Sequence, residues 1–240
     1  MNRLTIGIHP VREALRARRP LDKILVAKGS SGPRIQEIID LSREQSIPLR
    51  FEPREMLDRA TKGLPHQGVI AFGAAHGYAE LADVIAGANL LVVLDGVEDP
   101  HNLGAIIRTA HAAGANAVIV PERRSAPLTE TVDRAAAGAL EYLPVVRVTN
   151  VNQTLERLKQ ENFWIYGLDE RGTELHNRVE YATPTAFVLG GEGKGLHQAV
   201  QKNCDVLVRI PMAGAVSSLN VSVAAGVVLF EWRRRQSERE

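Results

Sequence analysis

The sequence contains one cysteine, Cys204, among its 240 residues. A single cysteine excludes an internal disulfide and a cysteine-based zinc site. The seven histidines show no metal-ligand spacing, so we expect a metal-free protein. No apolar run approaches the roughly 20 residues of a membrane-spanning helix, and the N-terminal stretch lacks the apolar core of a secretory signal. These absences predict a cytoplasmic protein with no membrane partner.

The formal net charge is only +1, but the charges of the two signs are unevenly distributed along the chain. Residues 1–73 carry 13 Lys and Arg against 8 Asp and Glu, whereas residues 74–240 carry 16 against 20. A basic N-terminal piece on a mildly acidic body indicates a polyanion-binding module. The alternative, that the charge only keeps the module soluble, is slightly favoured when charge is considered alone.

The pattern up to residue 73 predicts a small α/β unit. Helical spacing in "HPVREALRARR", "SGPRIQEIIDLSREQ" and "PREMLDRAT" alternates with the short strands "KILVAK", "IPLRF" and "HQGVIAF". Residues 73–89 are rich in glycine and alanine with little periodicity, and we expect a linker there with one short helix. The predicted division is an N-terminal domain over 1–73, a linker over 74–88 and a larger domain over 89–240.

From residue 89 onward, continuous apolar strands alternate with helices. The strands are "LLVVLDGV", "ANAVIVP", "LPVVRV", "FWIYGLD", "TAFVLGG" and "DVLVRIPM". Between them, "NLGAIIRTAHAAG" predicts a helix closed by Gly114, "LTETVDRAAAGAL" predicts another, and "NVNQTLERLKQEN" predicts one capped by Asn150. A last helix is expected from about Leu219 to Arg235. This alternation predicts a mostly parallel sheet with helices on both faces.

Ligands of such sheets bind at the carboxyl ends of the strands, and three unusual segments lie there: 95–108, 189–196 and 210–224. In "LGGEGKGL", Gly195 is followed by leucine, so a nucleotide P-loop is disfavoured. The glycines also come too late for a dinucleotide fingerprint. What remains is a backbone that a ligand can approach closely, with the carboxylate of Glu192 among the glycines.

In "AGAVSSLNVSVAAG", Ser217, Ser218 and Asn220 interrupt residues that suit a buried helix. Buried polar groups need partners, and helix capping by Ser218 or Asn220 accounts for only part of them. The small residues Ala224, Ala225 and Gly226 allow this helix to pack closely against another backbone.

The segment "DPHNLGAIIR" places Asn102 and Arg108 six residues apart, so one face of a regular helix cannot carry both. We expect Asn102 to cap the helix. The Arg108 guanidinium is well shaped to clamp a phosphate or carboxylate, but a surface arginine paired with a nearby acid is favoured when this residue is considered alone. Arg123 and Arg124 in "PERRSAPLT" are interpreted as a solvated charged turn, with an RNA contact as the alternative.

Together the three segments resemble the ordered motifs of the SpoU/TrmH RNA 2′-O-ribose methyltransferases. The motifs are Asn-x-Gly-x-x-x-Arg (Asn102 to Arg108), Leu-Gly-x-Glu-Gly-x-Gly (Leu189 to Gly195) and Ile-Pro-Met-x-Gly-x-x-x-Ser-Leu-Asn-Val-Ser (Ile210 to Ser222). The resemblance covers roughly residues 89–235. The segments "GIHPVREAL" and "HQGVIAF" resemble the substrate-binding domain of the bacterial branch that modifies large-subunit ribosomal RNA. Within that branch, "LDGVEDPHNLGAIIRTAHAAG" and "IPMAGAVSSLNVSVA" are most similar to the enzymes that methylate a guanosine of 23S ribosomal RNA.

The resemblance implies a C-terminal α/β domain with a trefoil knot (SPOUT) behind a small L30e-like RNA-binding domain. It implies S-adenosylmethionine as cofactor, a homodimer, and transfer of methyl to a ribose 2′-hydroxyl without a metal. The implied cofactor contacts are Leu189, Gly190, Gly191, Ile210, Met212, Ser218, Leu219 and Asn220. The implied catalytic group is Arg108, Asn102, Glu192, Ser218 and Asn220.

The literal version in which Arg108 is the base conflicts with chemistry, because a guanidinium cannot be deprotonated in proteins. A phosphate clamp that also stabilises developing oxyanion charge is favoured. Two other functions stay open: methylation of transfer RNA, and RNA binding without catalysis. The N-terminal domain favours ribosomal RNA, and the complete set of motif residues favours an enzyme.

Overall fold

A computed structural model describes residues 3–74, 76–193, 195–215 and 217–238. The chain forms two compact units, and each is discontinuous in sequence. The first combines Met1–Gly77 with Leu128–Tyr142, and the second combines Tyr78–Pro127 with Leu143–Glu240. None of the helices in the described ranges offers an apolar stretch of the length needed to cross a lipid bilayer.

Strands and helices alternate along most of the described chain. The strands are β1 (Arg3–Ile6), β2 (Leu21–Ala27), β3 (Leu49–Glu52), β4 (Val69–Gly73), β5 (Leu90–Asp95), β6 (Ala117–Pro121), β7 (Val145–Val148), β8 (Trp164–Leu168), β9 (Glu174–Leu175), β10 (Thr185–Gly190) and β11 (Val206–Arg209). The helices are α1 (Ile8–Arg16), α2 (Pro33–Glu44), α3 (Arg54–Ala60), α4 (Leu81–Ile85), α5 (Pro100–Ala113), α6 (Glu130–Ala136), α7 (Val151–Gln160), α8 (Gln198–Lys202) and α9 (Val221–Ser237), with a 3-10 helix at Ala139–Glu141.

The first unit contains a four-stranded sheet of order β1-β4-β2-β3. β2 pairs in parallel with β3, whereas the β1–β4 and β2–β4 pairs are antiparallel. Successive side chains of a strand point to opposite faces, and both faces of β2 are covered. Ile24 packs in a cluster with Val11 and Ile38, and Leu25 packs in another with Leu57. Burial on both faces explains the continuous apolar run of this strand.

The second unit is built on a seven-stranded sheet of order β7-β6-β5-β10-β8-β11-β9, in which every neighbouring pair is parallel. On one face, Leu155 of α7 and Val200 of α8 pack with Leu91. On the other face, α9 packs against α5 and β10, and Trp232 donates from Nε1 to Thr185 Oγ1 at 3.0 Å. The predicted parallel sheet with helices on both faces is confirmed.

The strand order places a switch point at β5. The chain continues from β5 to β6 and β7 on one side, whereas β10 lies on the other side. Open α/β sheets bind ligands at the carboxyl edge of the sheet, near such a switch point, so a ligand is expected at this edge of the second unit.

Several short elements differ from the sequence-based expectations. The helix predicted over 128–140 ends at Ala136, because Ala137 (φ 51°) and Gly138 (φ 95°) have left-handed backbones, and a 3-10 helix follows. β1, β9 and α8 are additional elements that the patterns did not predict, with four, two and five residues. The last helix begins at Val221, two residues after the expected Leu219.

The segment predicted as a linker is partly structured. It contains α4, as expected, and Ala79 forms a parallel bridge with Val146 of β7. The second unit begins at Tyr78. The segment Leu128–Tyr142, with α6, belongs to the first unit, although it follows β6 in sequence.

Candidate active site

A cavity of about 660 Å³ lies at the carboxyl ends of β8, β10 and β11. Its walls come from the turn after β8, the glycine-rich loop after β10 and the segment between β11 and α9. The lining includes all eight residues implied as cofactor contacts: Leu189, Gly190, Gly191, Ile210, Met212, Ser218, Leu219 and Asn220. The structure therefore brings the second and third motifs together around one space.

Two glycines of the glycine-rich loop, Gly190 and Gly191, lie so close to neighbouring backbone that no side chain fits at either position. A Cβ on Gly190 would lie 2.1 Å from the carbonyl carbon of Gly195, and a Cβ on Gly191 would lie 2.0 Å from the carbonyl oxygen of Gly96. Gly191 N donates to Asp95 O at 2.9 Å, and Gly195 N donates to Gly191 O at 3.2 Å. These glycines permit the close backbone approach that forms the cavity wall.

A chain of hydrogen bonds joins the three sequence motifs. Asn102 donates from Nδ2 to Glu192 Oε1 at 2.6 Å, and Asn220 donates from Nδ2 to Asn102 Oδ1 at 2.9 Å. Asn220 Oδ1 in turn accepts from Ser222 Oγ at 2.6 Å and from Ser222 N at 2.9 Å. Glu192 and Asn220 line the cavity, whereas Asn102 lies behind them and does not line it.

The polar residues before α9 are exposed, so the expectation that they are buried and need partners is wrong. Ser217, Ser218 and Asn220 all lie on the surface and line the cavity. Asn220 is the N-cap of α9, because its Oδ1 accepts from Ser222 N and Val223 N. One cap satisfies the helix, which leaves both serine hydroxyls facing the cavity.

The start of α5 corrects another expectation. Asp99, rather than Asn102, caps this helix: Asp99 Oδ1 accepts from His101 N at 2.6 Å and from Asn102 N at 3.3 Å. Pro100 occupies the first helical position, where its missing N–H costs nothing, and this moves the cap to the preceding residue. The Asn102 side chain is thereby free to join Glu192 and Asn220.

Arg108 is the one implied catalytic residue that lies apart from the others. Its side chain is exposed on α5, and it does not line the cavity. Six residues of an α-helix rotate a side chain by about 240° from its starting direction, so Arg108 and Asn102 point to different sides. Among the residues that the structure describes, none forms a hydrogen bond or ion pair with the Arg108 guanidinium.

The turn after β8 contributes residues that the sequence reasoning missed. Asp169, Glu170 and Arg171 line the cavity. Arg171 donates from Nε to Asp169 Oδ1 at 2.9 Å and from Nη2 to Asp169 Oδ2 at 3.1 Å. This bidentate contact lowers the pKa of Asp169, against the effect of burial. The signal that could have found them is the strand-end rule that identified the other loops.

The first unit contains a separate cluster of buried charge that sequence spacing did not reveal. His76, Asp133 and Glu141 place nitrogen and carboxylate oxygens within 4.8 Å of one another, as metal ligands can. Arg19 Nη1, however, lies 3.0 Å from Glu141 Oε1. Burial lowers the pKa of His76, but Asp133 and Glu141 outweigh it and raise the pKa. Arg19 and His76 therefore both lie against these carboxylates, and we interpret the cluster as a buried network of polar and charged side chains.

Two family models match the chain in succession. The model of the SpoU rRNA Methylase family matches residues 89–230, and the model described as RNA 2′-O ribose methyltransferase substrate binding matches residues 4–79. Among curated relatives, YacO of Bacillus subtilis (strain 168), whose name assigns it to the TrmH family of tRNA/rRNA methyltransferases, is 42% identical over 238 residues. That alignment covers 97% of this chain and 95% of YacO.

Solved structures agree over nearly the whole chain. The SpoU methyltransferase AviRb from Streptomyces viridochromogenes, in complex with the cofactor AdoMet, superposes with a TM-score of 0.82 at 27% identity, over 99% of this chain and 91% of AviRb. An AdoMet-bound rRNA methyltransferase from Sinorhizobium meliloti gives a TM-score of 0.80 at 26% identity, over 98% and 87% of the two chains.

A trefoil knot is typical of the fold that these neighbours share. The family models match more than half of the sequence, and the residues matched by the SpoU model include all three sequence motifs. The chain therefore belongs to the SpoU/TrmH family of RNA methyltransferases.

Proposed function

We propose that this protein transfers a methyl group from S-adenosylmethionine to the ribose 2′-hydroxyl of a guanosine in 23S ribosomal RNA. The observation that carries the proposal is the cavity itself, in which the second and third motifs meet and to which Asn102 of the first motif is hydrogen-bonded. When bound there, the cofactor supplies a methyl group already activated on a sulfonium.

The residues around the cavity suit this cofactor. A volume of about 660 Å³ is in the range of small-molecule sites. The glycine-rich loop contributes the backbone of Gly190 and Gly191 to the lining, and a Cβ at either position would clash with the backbone of Gly195 or Gly96. Leu189, Ile210 and Met212 add apolar contacts. We assign these residues, with Ser218, Leu219 and Asn220, to cofactor binding.

The hydrogen-bonded group beside the cavity would position the ribose. Glu192 uses Oε1 for Asn102, which leaves Oε2 to accept a hydrogen bond from the hydroxyl. The Ser218 hydroxyl lines the cavity and adds a second polar contact. Holding reacting groups in line can supply several kcal/mol of a reaction barrier, up to about 7–11 in the best-oriented systems.

We assign Arg108 to the site of a second copy of the chain. It is exposed, unpaired among the described residues and absent from the lining of its own cavity. The apolar side chains of Val223 and Phe230 on α9 are 52% and 50% exposed, and residues seven apart share one face of a helix. We propose that this face forms a homodimer, so that Arg108 clamps a phosphate beside the partner's cavity.

The homodimer implied by the resemblance would suit the small-residue face of α9, but these residues pack within the chain. Ala224 and Ala225 are buried within the chain, and a Cβ on Gly226 would lie 3.8 Å from Thr109 Cγ2 of α5. They permit close packing of α9 on α5 rather than on another copy.

We assign RNA binding and catalysis to different parts of the chain because charge is unevenly distributed along it. Residues 1–73 carry the excess of Lys and Arg, with 13 against 8 acidic residues, and we assign RNA binding to them. We assign catalysis to residues 89–240, with 74–88 as the connection. Methylation of transfer RNA is the second candidate, since the name of YacO includes both substrates.

The test is methyl transfer from labelled S-adenosylmethionine to protein-free 23S rRNA and, in parallel, to bulk transfer RNA, with mapping of 2′-O-methylnucleosides. A single 2′-O-methylguanosine in 23S rRNA supports the proposal. Label only in transfer RNA would overturn the substrate, and absence of cofactor binding would overturn the enzyme.

The position of Arg108 has its own test. We expect Arg108→Ala to abolish turnover while the Kd for S-adenosylmethionine stays within a few-fold. Mixed dimers of Arg108→Ala with Gly191→Ala should regain activity, because one intact cavity then meets one intact arginine from the other copy. If Arg108 serves its own cavity, the mixed dimers stay inactive.

A further inference from the structure

The loop after β6 carries two adjacent arginines at the edge of the sheet where the cavity opens. Arg123 and Arg124 follow the carboxyl end of β6, and both side chains are exposed. Arg124 has a left-handed backbone, with φ at 59°, which is uncommon for a residue with a side chain. The loop is fixed just beyond it, because Ala126 N donates to Val97 O at 3.1 Å.

Arg124 is held by a histidine and an aspartate in series. Arg124 Nη1 lies 2.9 Å from His197 Nε2, and His197 Nδ1 lies 2.9 Å from Asp95 Oδ1. A guanidinium can only donate, so Nε2 of His197 accepts and Nδ1 carries the proton that Asp95 accepts. The His197 backbone N–H donates to the other carboxylate oxygen of Asp95 at 2.8 Å. Asp95, which is 6% exposed, thereby fixes both the ring and its tautomer.

Asp95 and His197 also fasten the glycine-rich loop, but this role does not require an arginine. Asp95 O accepts from Gly191 N, and the Asp95 carboxylate accepts from His197, so one residue holds both ends of the loop. Arg124 uses only Nη1 of its guanidinium for the hydrogen bond to His197. Among the described residues, none accepts a hydrogen bond from the remaining N–H groups of Arg124.

The identity of the partner determines what Arg124 can do. Arg171 beside the cavity is paired with the carboxylate of Asp169, and its charge is compensated. Arg124, in contrast, is oriented by the lone pair of a neutral imidazole. It therefore keeps its positive charge, faces solvent and has a fixed direction. A guanidinium in this state matches a phosphate, and phosphate contacts fix the register of a nucleic acid on a protein.

We propose that Asp95 and His197 hold Arg124 as a binding residue for a backbone phosphate of the RNA substrate, next to the nucleotide that enters the cavity. This rests on the proposed function, since it assumes that RNA is the substrate. Arg124 contacts the RNA, and Asp95 and His197 are positioning residues that act through it. Arg123 has no orienting partner among the described residues and serves as the matched control.

The test compares Arg124→Ala, Arg123→Ala, His197→Ala and Asp95→Asn in the full-length protein. Binding to protein-free 23S rRNA and to bulk transfer RNA is measured over a series of salt concentrations, and binding of S-adenosylmethionine by calorimetry. We expect Arg124→Ala to weaken RNA binding roughly tenfold. The slope of log K against log salt should fall by about 0.7, the value for one contact to a single strand.

His197→Ala and Asp95→Asn should weaken RNA binding without changing the salt slope, because the arginine charge remains and only its direction is lost. Asp95→Asn permits the other imidazole tautomer, which places an N–H against Arg124. Arg123→Ala should change RNA affinity less than threefold. The Kd for S-adenosylmethionine should stay within threefold of wild type for Arg124→Ala, which separates RNA contact from loop fastening.

Two results would overturn the inference while the proposed function stands. In the first, Arg124→Ala and Arg123→Ala weaken RNA binding equally, which would mean that Arg124 contributes only as one of several surface charges. In the second, Arg124→Ala leaves RNA binding unchanged but weakens cofactor binding, which would make it a structural clamp. Failure of the wild-type protein to bind or methylate either RNA would instead overturn the proposed function.

Discussion

Gly191→Ala is the substitution for which the structure gives the sharpest expectation. The new Cβ would lie 2.0 Å from the carbonyl oxygen of Gly96 and 2.7 Å from its carbonyl carbon. Real Cβ contacts shorter than 3.0 Å are essentially absent from proteins, so the loops after β5 and β10 must separate by at least 1.0 Å. This movement strains the 2.9 Å hydrogen bond from Gly191 N to Asp95 O and displaces the cavity wall.

The expected cost follows from these two effects. Overpacking typically costs about 1–3 kcal/mol, and a lost backbone hydrogen bond costs about 1 kcal/mol more. A displacement of this size at a site that depends on alignment can also reduce the rate about a hundredfold. We therefore expect a free energy of unfolding lower by about 2–4 kcal/mol and a large loss of cofactor affinity.

Gly193→Ala in the same loop is the matched control. A Cβ at Gly193 meets nothing within 4 Å, although its φ of +76° disfavours a side chain, and this strain costs about 1–2 kcal/mol. Calorimetry of S-adenosylmethionine binding and urea unfolding should separate the two variants. If Gly191→Ala binds the cofactor and unfolds like Gly193→Ala, the argument from backbone proximity is refuted.

Three further substitutions test other parts of the structure. Asn102→Asp should lower kcat at least tenfold, because it replaces the donor to Glu192 with a second carboxylate; steady-state kinetics with Asn102→Ala as reference checks this. Phe187→Ala should lower the free energy of unfolding by about 3–5 kcal/mol, since a fully buried ring is lost; urea unfolding against Phe187→Leu, with a smaller loss, measures it. Hydrogen bonds from Arg234 and Arg235 lower the pKa of Glu231 to about 2. Because the pKa of Glu231 is lower in the folded chain than in the unfolded chain, the ionised carboxylate stabilises the fold at pH values above the usual carboxyl pKa, and this stabilisation is lost as the pH falls towards 2. Glu231→Gln should therefore lower the free energy of unfolding by about 1 kcal/mol at pH 7 and leave it unchanged near pH 2.

Long elements with strong patterns were predictable from the sequence, because local rules dominate them. The continuous apolar run of β5 and the caps at Asn150 and Gly114 appear in the structure as expected. The two-residue strand β9 was not predictable, since its pairing with β11 depends on tertiary context. The cap of α5 was assigned to Asn102 instead of Asp99 because both residue types favour that position.

The site was predictable in outline and not in its contacts. Strand ends of a parallel sheet converge on one edge, and this rule, together with the unusual composition of three segments, predicts the loops after β5, β10 and β11. The same rule applies to Asp169 after β8, which was overlooked. The contact between Arg124 and His197 joins residues 73 positions apart, and no periodicity or composition encodes a pairing of that kind.

The hydrogen bonds among the motifs explain why polar residues recur in otherwise apolar segments. Asn102 uses both ends of its amide, donating to Glu192 and accepting from Asn220. Asn220 does the same, donating to Asn102 while its oxygen accepts from Ser222 and caps α9. Neither place suits a carboxylate, which cannot donate, nor a hydroxyl, which is too short to reach in both directions. The two amides therefore hold three loops that are distant in sequence in one fixed arrangement. Ser217 and Ser218 take no part in these hydrogen bonds and line the cavity, where they are available to a ligand.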